Sequence, residues 1–368
     1  MIVGTVKEIK IGENRVGLTP IGANALVKDG HTVLIEHGAG INSGFADDEY
    51  EKQGAKIIGT AKEVWDKSET VVKVKEPQKS EFPMMKEGQV LYTYLHLAAE
   101  LEVTKALLER KVTSIAYETV ELADGTLPLL APMSEVAGRM AVQVGMHYLE
   151  KTHGGSGRLL SGVPGVLPGK VVVLGTGIVG INAAKIAMGA GARVTIIGRN
   201  AAQLRYIDDV FGGKIRTLFS NPYNIERAVE KADLLVGGVL ITGLKAPKLV
   251  TREMVGKMKM GSVIVDVAID QGGCMETSRP TSHANPVYVE EGVIHYCVTN
   301  MPGAVPHTST LALTSTTLPY LLKLAKHGTE SAARNDEALF KGINTHKGRL
   351  TNKEVADSLG IEYQKMTF

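Results

Sequence analysis

Lys170-Val-Val-Val-Leu174 runs directly into Gly175-Thr176-Gly177-Ile178-Val179-Gly180, and an apolar helical pattern continues to Gly189. In a chain with 41 glycines a bare GxGxxG would mean little. Here it joins a buried-type strand to a helix, with another apolar strand following at Arg193–Ile197, and that context marks a dinucleotide-binding turn. Gly175 permits the tight turn, Gly177 lets the backbone approach a pyrophosphate, and Gly180 lets the helix pack on the strand. The helix N-terminus then offers amide donors to the phosphates. Further strands follow at Ile215–Phe219, Asp233–Gly237, Ser262–Val267 and Val293–Val298. With Val171–Leu174 and Arg193–Ile197 these make six strands separated by helices, a complete doubly wound domain.

Upstream, a second alternating series has candidate strands at Ile2–Val6, Thr32–Glu36, Thr70–Lys75, Gln89–Leu95 and Thr113–Glu118. Helical patterns at Pro20–Asp29, Asp47–Gln53 and Leu101–Arg110 separate them, which predicts another parallel sheet wrapped on both faces. A helix rich in small residues is expected over Met133–Thr152, capped by Ser134, before a Gly/Ser/Pro-rich loop at His153–Pro168. Beyond Met301-Pro302, Leu311–His327 reads as a long apolar helix carrying Pro319, and two shorter helical stretches finish the chain with no strand expected. The resulting fold class is α/β, with two doubly wound domains. A Rossmann dinucleotide-binding domain at 131–303 is inserted in a discontinuous substrate domain built from 1–130 and 304–368.

The 368 residues exceed one ordinary core and suit two domains. Hydrophobic residues at 44% and charged residues at 22% describe an ordered globular chain. Forty-one basic against 39 acidic residues leave +2, with no basic tract to call for nucleic acid or an anionic membrane. No apolar run approaches the ~18 residues of a membrane span, and the opening MIVGTVKEIK lacks the apolar core of a signal peptide. The two cysteines, Cys274 and Cys297, form no ligand cluster, so no metal is expected and a reducing cytoplasm fits.

Ligands of doubly wound sheets bind beyond the carboxyl ends of strands, so the reactive side chains there matter most. Lys75 closes one run and His96 the next, which puts a lysine and a histidine on one rim. Asp270 follows the apolar strand Val263–Ala268 beside Gly272-Gly273, and it is expected to face His96 across a cleft. Arg15, a loop cation after the first strand, could clamp a carboxylate or form a surface salt bridge. An imidazole exchanges protons near neutrality, and two cations can orient a carboxylate substrate. The slot for the acid that bonds the adenosine ribose reads Ile197-Gly198-Arg199-Asn200. The acid is missing and an arginine is adjacent, which removes repulsion against a 2′-phosphate and supplies a partner for it. This favours NADP(H), with NAD(H) as the alternative.

The opening GTVKEIKIGENRVGLTP, with VKVKEP, YTYLHLA, SIAYETV, LPLLAPMSEVAGRMA, GVPGV, KAPKLV, VDVAIDQGGC and NMPGAVPHTST, resembles alanine dehydrogenases and the related transhydrogenase alpha subunits. The resemblance extends from residue 4 to residue 310. It implies reversible deamination of L-alanine to pyruvate and ammonium with a nicotinamide cofactor, in a cytoplasmic homohexamer. It also implies that Arg15 and Lys75 hold the substrate while His96 and Asp270 handle protons. Cofactor contacts are implied at Ser134, Ile178, Val179, Ser220, Val239, Leu240, Val267, Ala268, Ile269, Asp270, Arg279, Val298, Thr299, Asn300 and Met301. Gly198, and Gln203 where some members carry a lysine, depart from the family pattern at the adenosine end. Rival readings are a transhydrogenase component, a saccharopine-type dehydrogenase and a nucleotide sensor. A mere sensor needs none of Arg15, Lys75, His96 and Asp270.

Overall fold

The computed structural model describes residues 1–239 and 246–366 and divides the chain into two compact units. Unit one joins Met1–Met133 to Gly303–Phe368, and unit two is Ser134–Pro302. The early strands are β1 (Ile2–Thr5), β2 (Thr32–Glu36), β3 (Lys56–Ile58), β4 (Thr70–Val72), β5 (Val90–Thr93) and β6 (Thr113–Ala116). Unit two holds β7 (Lys170–Leu174), β8 (Arg193–Gly198), β9 (Arg216–Phe219), β10 (Leu234–Gly237), β11 (Val263–Asp266), β12 (Val287–Glu290) and β13 (Val293–Tyr296). A hairpin, β14 (Ile343–His346) and β15 (Arg349–Leu350), lies in the tail.

In unit one the strand order is β15-β14-β6-β5-β4-β1-β2-β3, parallel from β6 to β3. Chain order reverses between β1 and β4, so the loops after these two strands diverge and leave a crevice at the carboxyl edge. Its strands are buried on both faces, as Val71, Val72, Leu91 and Tyr92 all have no exposure. Trp65, Leu91, Leu95, Leu107, Leu350 and Val355 belong to one core cluster of this unit. The tail departs from the all-helical expectation. It runs through the helix Pro306–His327, with Pro319 inside it, and two short helices before β14 pairs antiparallel with β6. Lys56–Ile58 is likewise a strand that its polar start concealed.

Unit two has the order β12-β13-β11-β10-β7-β8-β9, again reversing beside the strand that starts it, between β7 and β10. The sixth expected strand ends at Tyr296, and β12 adds an antiparallel edge that the reading from sequence lacked. Here too the central strands β7, β10, β11 and β13 are buried, and Leu174, Leu235, Ile264 and Val250 share a separate core cluster. The small-residue helix covers Ala131–Leu149, so it starts two residues before the expected Met133 and ends three before Thr152. Ser134 therefore lies within the helix and not at its N-cap. Within unit two, a Cβ on Gly138 would strike the carbonyl of Val179, and one on Gly145 would lie 2.6 Å from Leu234. Small residues let this helix sit against the glycine-turn helix. Arg139 Nε adds a hydrogen bond to Asn182 Oδ1 at 3.0 Å.

Candidate active site

In unit one, residues from the β1, β4 and β5 loops meet at the crevice. The pairing of β4 with β5 continues past their ends: Lys73 N donates to Tyr92 O at 3.1 Å and Tyr94 N to Val74 O at 3.3 Å. Thr93 Oγ1 holds the carbonyl of Lys75 at 3.0 Å. Glu8, buried in the loop after β1, accepts from Val74 N at 2.5 Å and Lys75 N at 3.2 Å. Burial pushes its carboxyl up, against the pull of Lys73. That lysine is fully buried between Glu8 at 3.1 Å and Glu81 at 3.0 Å. These bonds fix the backbone on which Lys75 is carried.

Arg15 is no surface cation. It is 2% exposed, and Glu13 holds it in a fork, 2.7 Å from Nε to Oε1 and 2.5 Å from Nη2 to Oε2. Its Nη1 rests 3.0 Å from Met133 Sδ. Lys75 is half-buried, and among the described residues no carboxylate lies within ion-pair distance of its amine. Burial and then the Arg15 guanidinium hold this amine below the usual lysine value. Arg15 is thus paired with Glu13, while the Lys75 amine has no carboxylate partner among the described residues.

His96 is exposed three residues beyond β5, in the left-handed region at φ 51°. A non-glycine residue holds that conformation only where its surroundings fix it. Here Glu118 does so, accepting from His96 N at 2.6 Å and Leu95 N at 3.1 Å. The ring lies parallel to Tyr94, 6.1 Å between centroids, and the Tyr94 hydroxyl donates to Leu129 O at 2.5 Å. Arg15, Lys75 and His96 are therefore brought to one rim. Glu8, Glu13, Tyr94 and Glu118, which hold them there, were not singled out from the sequence.

In unit two the register aligns Leu174, Ile197, Gly237 and Asp266 across neighbouring strands, and Gly198 pairs with Phe219. The segments Gly175–Gly180, Gly198–Gln203, Ser220, Val239 and Val267–Asp270 thus leave one edge of the sheet. Val298–Met301 leaves it too, following the parallel strand β13. Leu240 lies outside the described residues. Gly175 has φ +107°, and a Cβ there would come 2.5 Å from the Gly238 carbonyl oxygen. One on Gly180 would overlap the Gly175 carbonyl oxygen. Gly177 is different. Its φ of −77° suits any residue, and no atom lies within 4 Å of a Cβ built on it. Among the described residues nothing crowds that position, so the backbone of Gly177 is open to the approach of an outside group. The helix Ile178–Gly189 begins beside it with no side-chain cap, so its first amides face that same space. The turn fits a dinucleotide pyrophosphate.

At the end of β8, where the sequence reading expects the adenosine ribose, Gly198 is buried and Arg199 is exposed. The Asn200 side chain is committed as a helix cap, accepting from Ala202 N at 2.9 Å and Gln203 N at 3.2 Å. Thr176 Oγ1 donates to Gln203 Oε1 at 2.6 Å. A Cβ on Gly198 would collide with the γ-methyl of Thr176 and lie 2.8 Å from its hydroxyl. Ser134 stands one helical turn before Gly138, which contacts the start of the glycine-turn helix. Arg279 stacks over Tyr288, 3.8 Å from the ring centroid.

Asp270 is exposed on the short 3₁₀ helix Val267–Gln271 that follows β11. Asp266, the N-cap of that helix, is fully buried and organises the loop. Its carboxylate accepts from Ala268 N at 3.1 Å, Cys274 N at 2.9 Å and Ser278 Oγ at 2.6 Å. Burial pushes its carboxyl up in spite of these bonds. Lys248 Nζ pins the far side through Gly272 O at 2.6 Å and Met275 O at 2.9 Å. Both His96 and Asp270 thus lie beyond the carboxyl end of their own sheet.

A dinucleotide turn together with a rim carrying lysine, histidine and arginine defines a nicotinamide-dependent oxidoreductase. Comparison with known proteins agrees with this class. Residues 4–137 match the model described as "Alanine dehydrogenase/PNT, N-terminal domain", and residues 141–353 its C-terminal counterpart. The chain belongs to the alanine dehydrogenase/PNT family. An alanine dehydrogenase of Methanococcus maripaludis is 59% identical over 364 residues, covering 99% of this chain and 98% of that one. "Alanine dehydrogenase 2" of Staphylococcus aureus is 56% identical over 367 residues, 100% of this chain and 98% of that one. A solved L-alanine dehydrogenase superposes with a TM-score of 0.96 at 52% identity, covering 98% of this chain and 99% of that one. Among the described residues no helix is long and apolar enough to cross a membrane.

Proposed function

We propose that this chain catalyses the reversible oxidative deamination of L-alanine to pyruvate and ammonium, with NADP(H) preferred and NAD(H) the alternative cofactor. The observation that carries the reading is the rim of unit one. There an unpaired Lys75, a nearby Arg15 and an exposed His96 stand together in a chain that aligns end to end with alanine dehydrogenases. Lys75 takes the substrate carboxylate, and Arg15 adds to the positive field around it. Their joint hold orients Cα, which is worth more to the rate than affinity alone. When bound, the nicotinamide supplies hydride acceptance and donation at its C4. The imino acid left after hydride loss is hydrolysed. Asp270 manages the amino group and the attacking water, and His96 exchanges protons with the carbinolamine oxygen.

The preference for NADP(H) rests on residues 198–200 and on Thr176. No carboxylate stands at residue 198 to bond ribose hydroxyls, and Thr176 fills the space that one would need. Arg199, exposed next to it, is the partner for a 2′-phosphate. Cytoplasmic residence is proposed from the two unclustered cysteines, and a homohexamer from the family resemblance.

The test is a steady-state assay with pyruvate, ammonium and each reduced cofactor. Oxidation that requires both substrates, and that is faster with NADPH, is expected. Absence of turnover with either cofactor overturns the deamination reading. A strong preference for NADH overturns only the role of Arg199.

A further inference from the structure

Away from the dinucleotide turn, unit two has a depression of about 620 Å³ at the amino-terminal side of β7, β8 and β9. Six cations line it: Lys170, Arg193, Lys214, Arg216, Arg227 and Lys231. No acidic residue is among the lining residues. The arrangement follows from the sheet. Lys170 pairs in register with Arg193, and Thr195 with Arg216, so these side chains project from the same face of neighbouring strands. The helix Pro222–Val229 contributes Arg227 from the side, and Lys231 follows it. Val172 and Leu218 form part of the floor.

The positive charge is not answered by the chain itself. Among the described residues none of the six forms an ion pair, although the whole sequence is nearly neutral at +2. Two nearby acids are engaged elsewhere, and the exposed Glu230, next to Lys231 in sequence, pairs with none of the six among the described residues. Glu226 holds Lys257 at 2.9 Å, and Asp233 holds Arg158 at 3.1 Å and Lys259 at 2.7 Å. Arg227 makes only a neutral contact, 2.8 Å to the Tyr223 hydroxyl. Protein surfaces ordinarily intersperse the two signs, because like charges gathered in a concave space raise one another's energy.

We propose that this depression binds a compact polyanion carrying several phosphoryl groups, at a site separate from the dinucleotide turn. Three arginines supply planar forks for phosphoryl oxygens, and three lysines supply point charges around them. No aromatic side chain lines the space, so it offers no platform for stacking a base. Recognition there is of the phosphoryl groups themselves. Its concave form and small volume suit a small molecule over a nucleic-acid strand.

The test is calorimetric titration of the full-length protein with inorganic tripolyphosphate at low salt, with saturating reduced dinucleotide present to occupy the glycine turn. Citrate serves as a carboxylate probe. Saturable binding is expected that weakens with added salt. It should fall by about tenfold or more in Arg193→Glu and in Arg216→Glu. Equal binding of citrate would overturn the phosphoryl assignment. No saturable binding would overturn the site, as would binding indifferent to both substitutions. Displacement of the dinucleotide by tripolyphosphate, with both variants behaving as wild type, would place the anion at Gly175–Gly180. If instead either variant changes the oligomeric state by light scattering, the cations face another subunit and the proposal fails. Family membership and the deamination reading stand under every one of these outcomes.

Discussion

Lys75 carries its charge against two pressures, burial and the Arg15 guanidinium, which together hold its amine below the ordinary 10.5. Only the protonated amine attracts a carboxylate. As pH rises through the depressed value, the cation is lost before a surface lysine would lose it. The KM for pyruvate should therefore climb on the alkaline side while the pH is still below 10.5. In Lys75→Arg this alkaline limb should vanish, because a guanidinium stays charged, although its different shape lowers turnover. A KM that is flat up to 10.5 would separate Lys75 from the carboxylate. The stability linkage runs the other way. Between the depressed value and 10.5 the unfolded chain binds more protons, so this group adds stability as pH rises through that window. At the other end of the cofactor, Thr176 governs what residue 198 can be. Gly198→Asp with Arg199→Ile should raise NAD efficiency only weakly, since the new Cβ meets the Thr176 side chain. Adding Thr176→Ala removes the γ-methyl and hydroxyl, leaving a 3.1 Å contact to Cβ. The triple variant should then gain about ten- to a hundredfold in NAD over NADP relative to wild type. Equal gains in the double and triple variants would show that Thr176 yields freely.

The loop after β11 shows how one buried acid positions the segment that carries Asp270, the proposed proton carrier. Asp266 offers only acceptors to the donors at Ala268, Cys274 and Ser278. Asp266→Asn turns one oxygen into a donor facing other donors, which should cost about 1–3 kcal/mol. Asp270 rides on the same loop, so kcat should fall with it, whereas Ser278→Ala should lower both only modestly. Full activity in Asp266→Asn, with an unchanged melting temperature, would sever this link. Such acids were illegible in the sequence. Glu8, Glu13, Glu118 and Asp266 drew no reading of their own, because nothing local distinguishes a buried carboxylate that binds backbone amides. The parallel strands were legible for the opposite reason: Val171–Leu174 and Val71–Val72 are uniformly apolar, as strands covered on both faces must be. The glycine turn was legible because its geometry is local. The tail hairpin was missed although its turn carries a signal. Lys347 at φ 49° and Gly348 at φ 80° make a two-residue connection of left-handed residues, for which asparagine before glycine is the usual mark. A lysine in that place, between the polar strands Ile343–His346 and Arg349–Leu350, hid it.

The chain builds two units with separate cores and passes between them twice, at Met133/Ser134 and at Pro302/Gly303. Unit one is therefore completed only when the last third of its sequence arrives. That late segment is structural and not an appendage. It supplies β14 and β15 to the sheet, and Leu350, Val355 and Ala356 to the cluster that holds Trp65 and Leu91. Without them β6 becomes an open edge whose amides and carbonyls face water, a template for association with other chains. Every residue of the glycine turn lies in the other unit, whose core cluster takes nothing from the tail. Deleting residues 343–368 should thus abolish turnover and promote aggregation, while dinucleotide binding, followed by nucleotide fluorescence, survives in whatever remains soluble. Leu350→Ala is the gentler form of the same experiment. It leaves the strand in place and empties part of the core, and it should cost about 2–5 kcal/mol in chemical denaturation. Its dinucleotide affinity should stay close to that of wild type, because the lost packing is confined to unit one. A truncated chain that melts and turns over like the full chain would mean that the hairpin only decorates the sheet. A Leu350→Ala variant that loses dinucleotide affinity in proportion to its stability would mean that the two cores do not fold as separate units.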